Sequence, residues 1–160
     1  MGRTGGARIR TEVRIGVYGE SMERRLNARL SPLIPTALAI FRIVFALLLL
    51  CHGTTTLFGW PAADSIAVGT WPYWYAGVIE LVCGLLLAVG AFARAAAFLA
   101  SGTMAVAYFV GHSTISFWPV VNQGEAAVMN CFAFLLLVFT GPGRWALDTA
   151  RSASHRAAPA

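Results

Sequence analysis

The chain contains no lysine: its twelve basic residues are all arginine, set against seven acidic residues for a formal net charge of +5. We read that one-sided choice as a coding bias and draw no chemistry from it. Charge itself is scarce, at 12% of residues, roughly half the ~25% of an ordinary soluble domain. With 58% hydrophobic residues and a mean hydropathy of +0.67, this scarcity excludes a soluble globule and leaves one membrane domain, because little chain remains for a second core. There is no C-x-x-C pair among Cys51, Cys83 and Cys131, which all fall within apolar runs. Thiols there, without a positive neighbour, are packing residues; Cys51 and Cys83 lie at similar depths, so a disulfide between them is geometrically conceivable. No cleavable signal layout follows Arg24-Arg25, and the apolar run after it is long enough to read as an anchor. No broken helix or inverted repeat is visible, which argues against a small proton-coupled carrier. No nucleic-acid partner is expected.

What is present is apolar sequence in four runs, at about 37–57, 75–93, 95–111 and 125–140. Each is near the ~17–25 residues that cross a bilayer as a helix. The expected fold class is therefore all-α and integral to the membrane, a four-transmembrane-helix bundle. The expected division is a basic N-terminal arm over 1–36, a membrane domain over 37–148 and an unstructured tail over 149–160. The arm, the turn at Arg94 and the C-terminal end with Arg144, Arg151 and Arg156 hold every arginine but Arg42, while the loops 58–74 and 112–124 hold none. The positive-inside rule then puts both termini in the cytoplasm. In the arm, Met22, Leu26 and Leu30 repeat at i, i+4, i+8 among arginines, a pattern for a short helix on an anionic surface, or else for an arm obeying the topology rule alone. Trp60, Trp71, Tyr73, Trp74, Tyr75 and Trp118 crowd the arginine-free loops, as a headgroup-level aromatic belt or as the rim of a site for a flat apolar ligand.

The second run carries a carboxylate, Glu80, on the same helical stripe as Gly77, Gly84 and Ala88. A charge at such depth costs roughly 2.5–3.5 kcal/mol on insertion scales for Asp or a basic residue, so Glu80 is expected to face a partner rather than lipid. The first helix brings His52 and, nearer its arginine end, Arg42, placed to snorkel or to pair with backbone carbonyls. The third brings His112, on a stripe with Ala97, Ser101, Ala105 and Tyr108. The fourth opens on Glu125. If these stripes face inward, two imidazoles and two carboxylates converge in the outer half of the bundle. They suit a proton relay beside a redox cofactor, hydrogen bonds to the carbonyls of a quinone, or, less well without a Glu-x-x-His spacing, a metal. The alternative is that Glu80 and a basic partner staple helices together. Glu80 and His52 are the candidate catalytic pair; Arg42, His112, Glu125 and Tyr108 are the candidate cofactor contacts. No metal ligands are assigned.

Phe41-Arg42 with His52-Gly53, Trp74 to Glu80 with Gly84, Gly90 and Arg94, Asn122-x-Gly124-Glu125, and Phe139 to Asp148 (F-T-G-P-G-R-W-x-L-D) together resemble the DoxX family of small bacterial membrane proteins, over about residues 37 to 148. The resemblance implies a four-helix bundle in the bacterial inner membrane tied to redox work. Relatives look like the membrane subunit of thiosulfate:quinone oxidoreductase or act in thiol and superoxide defence with soluble oxidoreductases. Thr56 stands where the family usually has lysine. The expected function is thus a membrane subunit of a redox or oxidative-stress-defence assembly, with quinone as the cofactor. The alternative is a non-catalytic anchor recruiting a soluble cytoplasmic partner. The Ala- and Gly-rich second and third runs also suit a homo-oligomer.

Overall fold

A computed structural model of the chain describes residues 22–62 and 65–157; residues 1–21, with the first arginines of the basic arm, lie outside the described residues. The chain divides into two units, 1–35 and 36–160. In the first, residues 22–30 are helical, Ser31–Leu33 form a 3-10 turn, and every residue from 22 to 35 is exposed.

The second unit is helical, with no strand among the described residues. Its elements are α1 (Ile34–Phe58), α2 (Tyr73–Val89), α3 (Ala93–Ala107) continued by a π-helical turn (Tyr108–His112), α4 (Pro119–Asn122), α5 (Glu125–Thr140) and α6 (Leu147–Ala157). Two helical stretches, Met22–Phe58 and Ala93–His112, are long and apolar enough to cross a bilayer; α2 and α5 are apolar and shorter, at 17 and 16 residues. Large apolar side chains such as Val44, Leu48, Val82, Leu85, Phe132 and Leu136 point outward, while Arg42, Glu80, Ser101 and Asn122 are the buried polar ones. That inside-out distribution suits hydrocarbon surroundings and would be an aggregation liability in water. The molecule is a helical membrane protein.

Small residues decide how closely the helices approach. A Cβ on Gly53 of α1 would lie 2.7 Å from the backbone nitrogen of Leu81 and 3.1 Å from the Gly77 carbonyl oxygen, so the α1 and α2 backbones touch there. One on Gly84 would meet Leu50 at 2.8 Å. Lipid tails are as apolar as leucine, so packing at this range, rather than hydrophobic exclusion, drives helices together. The stripe Ala93, Ala97, Ala100 and Met104 lets α3 sit centrally, against α2 on one side and, more extensively, α5 on the other. Leu49, Cys83, Leu87, Phe134 and Leu137 fill the core, with Phe45 set edge-on to Phe134.

At the arginine end, α2 stops at Gly90, whose φ of +71° is left-handed, three residues before the expected boundary at 93. Arg94, expected in the turn, lies in the first turn of α3. The cause is Asp148: its Oδ1 and Oδ2 accept the Phe92 and Ala93 N–H groups at 3.0 and 2.8 Å, capping α3 early. Residues 147–157, expected mostly as a loose tail, form α6. Asp148 ties it to α3, Thr149 Oγ1 donates to the Gly143 oxygen at 3.0 Å, and an acid in the first turn suits the helix dipole.

Candidate functional site

Between α1, the first half of α2 and the outward face of α3 lies a cavity of about 640 Å³, within the ~300–1,000 Å³ of small-molecule sites. Its walls are mostly apolar, among them Ile79, Phe98, Val106 and Val110, with the aromatic rings of Trp71 and Tyr75. The polar groups that reach it include Glu80, His52, His112, Thr56 and Thr103. Three of the four ionisable groups expected to converge therefore line one space.

Glu80 is 6% exposed and has no hydrogen-bond or ion-pair partner. Every fully enclosed side-chain oxygen or nitrogen among the described residues has a partner, so the Glu80 oxygens open on the cavity. The neighbouring surface explains the placement: Gly77 and Gly84 put the adjoining α2 face against α1, which turns Glu80 and Cys83 inward. His112 is aimed by the π turn, closed by Ser113 N–H bonding the Tyr108 carbonyl five residues back at 2.8 Å; such turns re-aim side chains and recur at functional sites. Its Nδ1 lies 3.0 Å from the Asn122 carbonyl oxygen. A carbonyl only accepts, so Nδ1 carries the proton and Nε2 remains for a ligand. Asn122 is itself held, donating Nδ2–H to the Ser116 oxygen at 2.6 Å and accepting from Gly124 N–H at 2.7 Å. His52 is exposed on α1 at the cavity.

The remaining candidates sit elsewhere. Arg42 is completely buried at the arginine end. Its Nε donates to the Pro142 oxygen at 3.0 Å, Nη1 to Leu87 and Ala88 at 2.5 and 3.2 Å, and Nη2 to Trp145 at 3.0 Å. The last carbonyls of α2 carry the negative end of its dipole and are not all paired within the helix, so a guanidinium there binds three segments together. Of the two roles expected for Arg42, it fills the carbonyl pairing and does not line the cavity. Tyr108 is buried, with its hydroxyl donated to the Phe117 carbonyl, and it too lies outside the cavity lining. Glu125 is exposed in the first turn of α5 and joins no cluster. Cys51, Cys83 and Cys131 are all free. Among the described residues no three His, Cys, Asp or Glu side chains come together as a metal would need.

Sequence reasoning missed Thr103 and two glycines of α3 and its π turn, Gly102 and Gly111, which line the cavity with nothing within 4 Å of a Cβ. Thr56, noted only as a departure from a family lysine, lines it as well. The available signal was the i, i+4 step from His52 to Thr56.

The profile of the DoxX family matches residues 37–113. An uncharacterized protein of Haemophilus influenzae is 42% identical over 120 residues, covering 71% of this chain and 90% of that relative. The chain belongs to the DoxX family. No solved structure matches it. The profile match spans α1, α2, α3 and the π turn, and so includes the cavity of this DoxX protein and its three ionisable residues.

Proposed function

We propose that this DoxX protein is the membrane subunit of a redox assembly and that its cavity takes a quinone head group. It crosses the bacterial inner membrane four times, with both termini in the cytoplasm and the cavity toward the outer leaflet. The observation that carries the reading is Glu80: a buried carboxyl with no protein partner, opening on an apolar space that two histidines also line. A partnerless polar group at that depth is costly unless a ligand or proton completes it. Quinone carbonyls accept hydrogen bonds and quinol hydroxyls donate them. Glu80 and the imidazoles of His52 and His112 can do either as they gain or lose a proton. Trp71 and Tyr75, 5.7 Å apart between ring centroids, offer faces for a flat ring. A soluble oxidoreductase docked at the membrane supplies the electrons.

The test is to purify the protein from its membrane in mild detergent, extract it with organic solvent and quantify quinone per chain. Wild type retains quinone; Glu80→Ala and Gly102→Leu, the latter projecting into the cavity, lose it. Absence of quinone in wild type, or equal retention in all three proteins, refutes the assignment.

One observation favours a second reading, a scaffold that recruits a soluble protein. Residues 22–33 are helical and exposed, with Arg24, Arg25 and Arg29 among Met22, Leu26 and Leu30. Deleting residues 1–30 would then abolish co-isolation of the partner while quinone content stays unchanged.

A further inference from the structure

A second opening, about 800 Å³, lies at the arginine end between the start of α3 and α6. Phe92, Arg94, Pro142, Asp148, Arg151 and Ser152 are among its walls. The hydrogen-bonding capacity left over there is mainly that of donors. Both Asp148 oxygens already accept backbone N–H groups of α3. Ser152 Oγ–H is given to the Asp148 carbonyl at 2.9 Å. Arg94 gives Nη1 to the Val138 and Phe139 carbonyls at the end of α5, which leaves its Nε and Nη2 free. The Arg151 side chain has no hydrogen bond or ion pair. Two guanidinium edges with unspent N–H groups suit a tetrahedral anion with several oxygens, and the Asp148 carboxylate offsets only one of their charges.

We propose that this opening binds the phosphate of a membrane phospholipid. The lipid source follows from what adjoins the opening. Ala95 lines it, and the same face of α3 continues outward through Phe98 and Leu99, 64% and 56% exposed, which also border the first cavity. That face is apolar and gives an acyl chain a surface to lie on, which a free phosphate has no use for. Basic pockets at the cytoplasmic end of helical bundles bind headgroups by this chemistry. The inference does not depend on the quinone reading.

The test uses the full chain in a non-ionic detergent, with native mass spectrometry during titration with phosphatidylglycerol. The comparison is Arg151→Gln, which alters an exposed α6 side chain, against Arg144→Gln, an exposed arginine outside the opening. One arginine near a bilayer surface is worth ~1 kcal/mol, about five-fold in affinity. Wild type and Arg144→Gln should bind one phosphatidylglycerol about five-fold more tightly than Arg151→Gln. Arg94→Gln, checked for native helicity by circular dichroism, should show a similar loss. Equal binding by Arg151→Gln and Arg144→Gln would overturn the site. Displacement of the lipid by millimolar inorganic phosphate would overturn the lipid source.

Discussion

Replacing Arg42 with methionine keeps a long, flexible side chain and removes the guanidinium that joins α2 to the segment after α5. The Ala88, Pro142 and Trp145 carbonyl oxygens then lose the Arg42 donors that hold them at 3.0–3.2 Å; the Leu87 oxygen keeps the Gly90 N–H at 3.2 Å. A buried acceptor left unpaired costs ~1–3 kcal/mol, and local relaxation recovers part of that for three neighbouring groups. Three such acceptors, less that relaxation, give a net loss of about 3–5 kcal/mol. For a chain of this size that is a fall of roughly 10 °C in Tm, read by circular dichroism in detergent. Arg42→Lys, whose single ammonium reaches fewer of the three segments, should fall between. A Tm for Arg42→Met within about 2 °C of wild type would refute the idea that this guanidinium binds the arginine end together.

Gly90→Ala should cost at least as much as an ordinary core truncation, about 2–4 kcal/mol, because its Cβ would meet Ala146 Cβ and Arg42 Nη1 at 2.5 Å in a left-handed backbone; Tm in the same detergent checks it. Gly53→Ala and Gly102→Ala should diverge in that assay. The first forces α1 and α2 apart and destabilises by about 2 kcal/mol, in the range for overpacking, whereas the second enters open space and gains up to ~1 kcal/mol of helix propensity. Asp148→Ala should lose the α3 cap, costing about 1–2 kcal/mol, with faster hydrogen exchange at the Phe92 and Ala93 amides.

Much of this was legible before any coordinates. Apolar run lengths located α1 and α5 to within a few residues, since hydrocarbon surroundings tie helix length to composition. The Gly77–Gly84 stripe marked a close contact, and Glu80 on the same stripe was marked as inward-facing. Boundaries set by distant partners were not legible. Nothing local to Gly90–Arg94 announces that Asp148, more than fifty residues on, caps α3 and draws the turn back. Nor does the composition of residues 149–157 reveal that its first turn is tied to another helix. Arg42 shows the limit most clearly: its depth was readable, yet whether a buried cation serves a ligand or four carbonyls depends on where the G-P-G-R-W segment folds back. Glu125 was grouped with the site by depth, which does not fix azimuth around a helix. Tyr108 was grouped by its stripe with His112, yet its hydroxyl is held by the Phe117 carbonyl and it does not line the cavity. His112, expected from the same stripe, lines the cavity, but the π turn that aims it has no sequence period.

The account rests on ligand recognition by Glu80, and equilibrium binding of a short-chain quinone tests it most directly. Trp71 lines the cavity, so quenching of its fluorescence, with Trp71→Phe as the blank, reports occupancy. Saturable quenching is predicted, with affinity weakened ~10–100-fold in Glu80→Leu, the loss of a hydrogen bond to a charged or ionisable group worth ~1.5–3 kcal/mol. Unsaturable quenching, or equal affinity in Glu80→Leu, would contradict it.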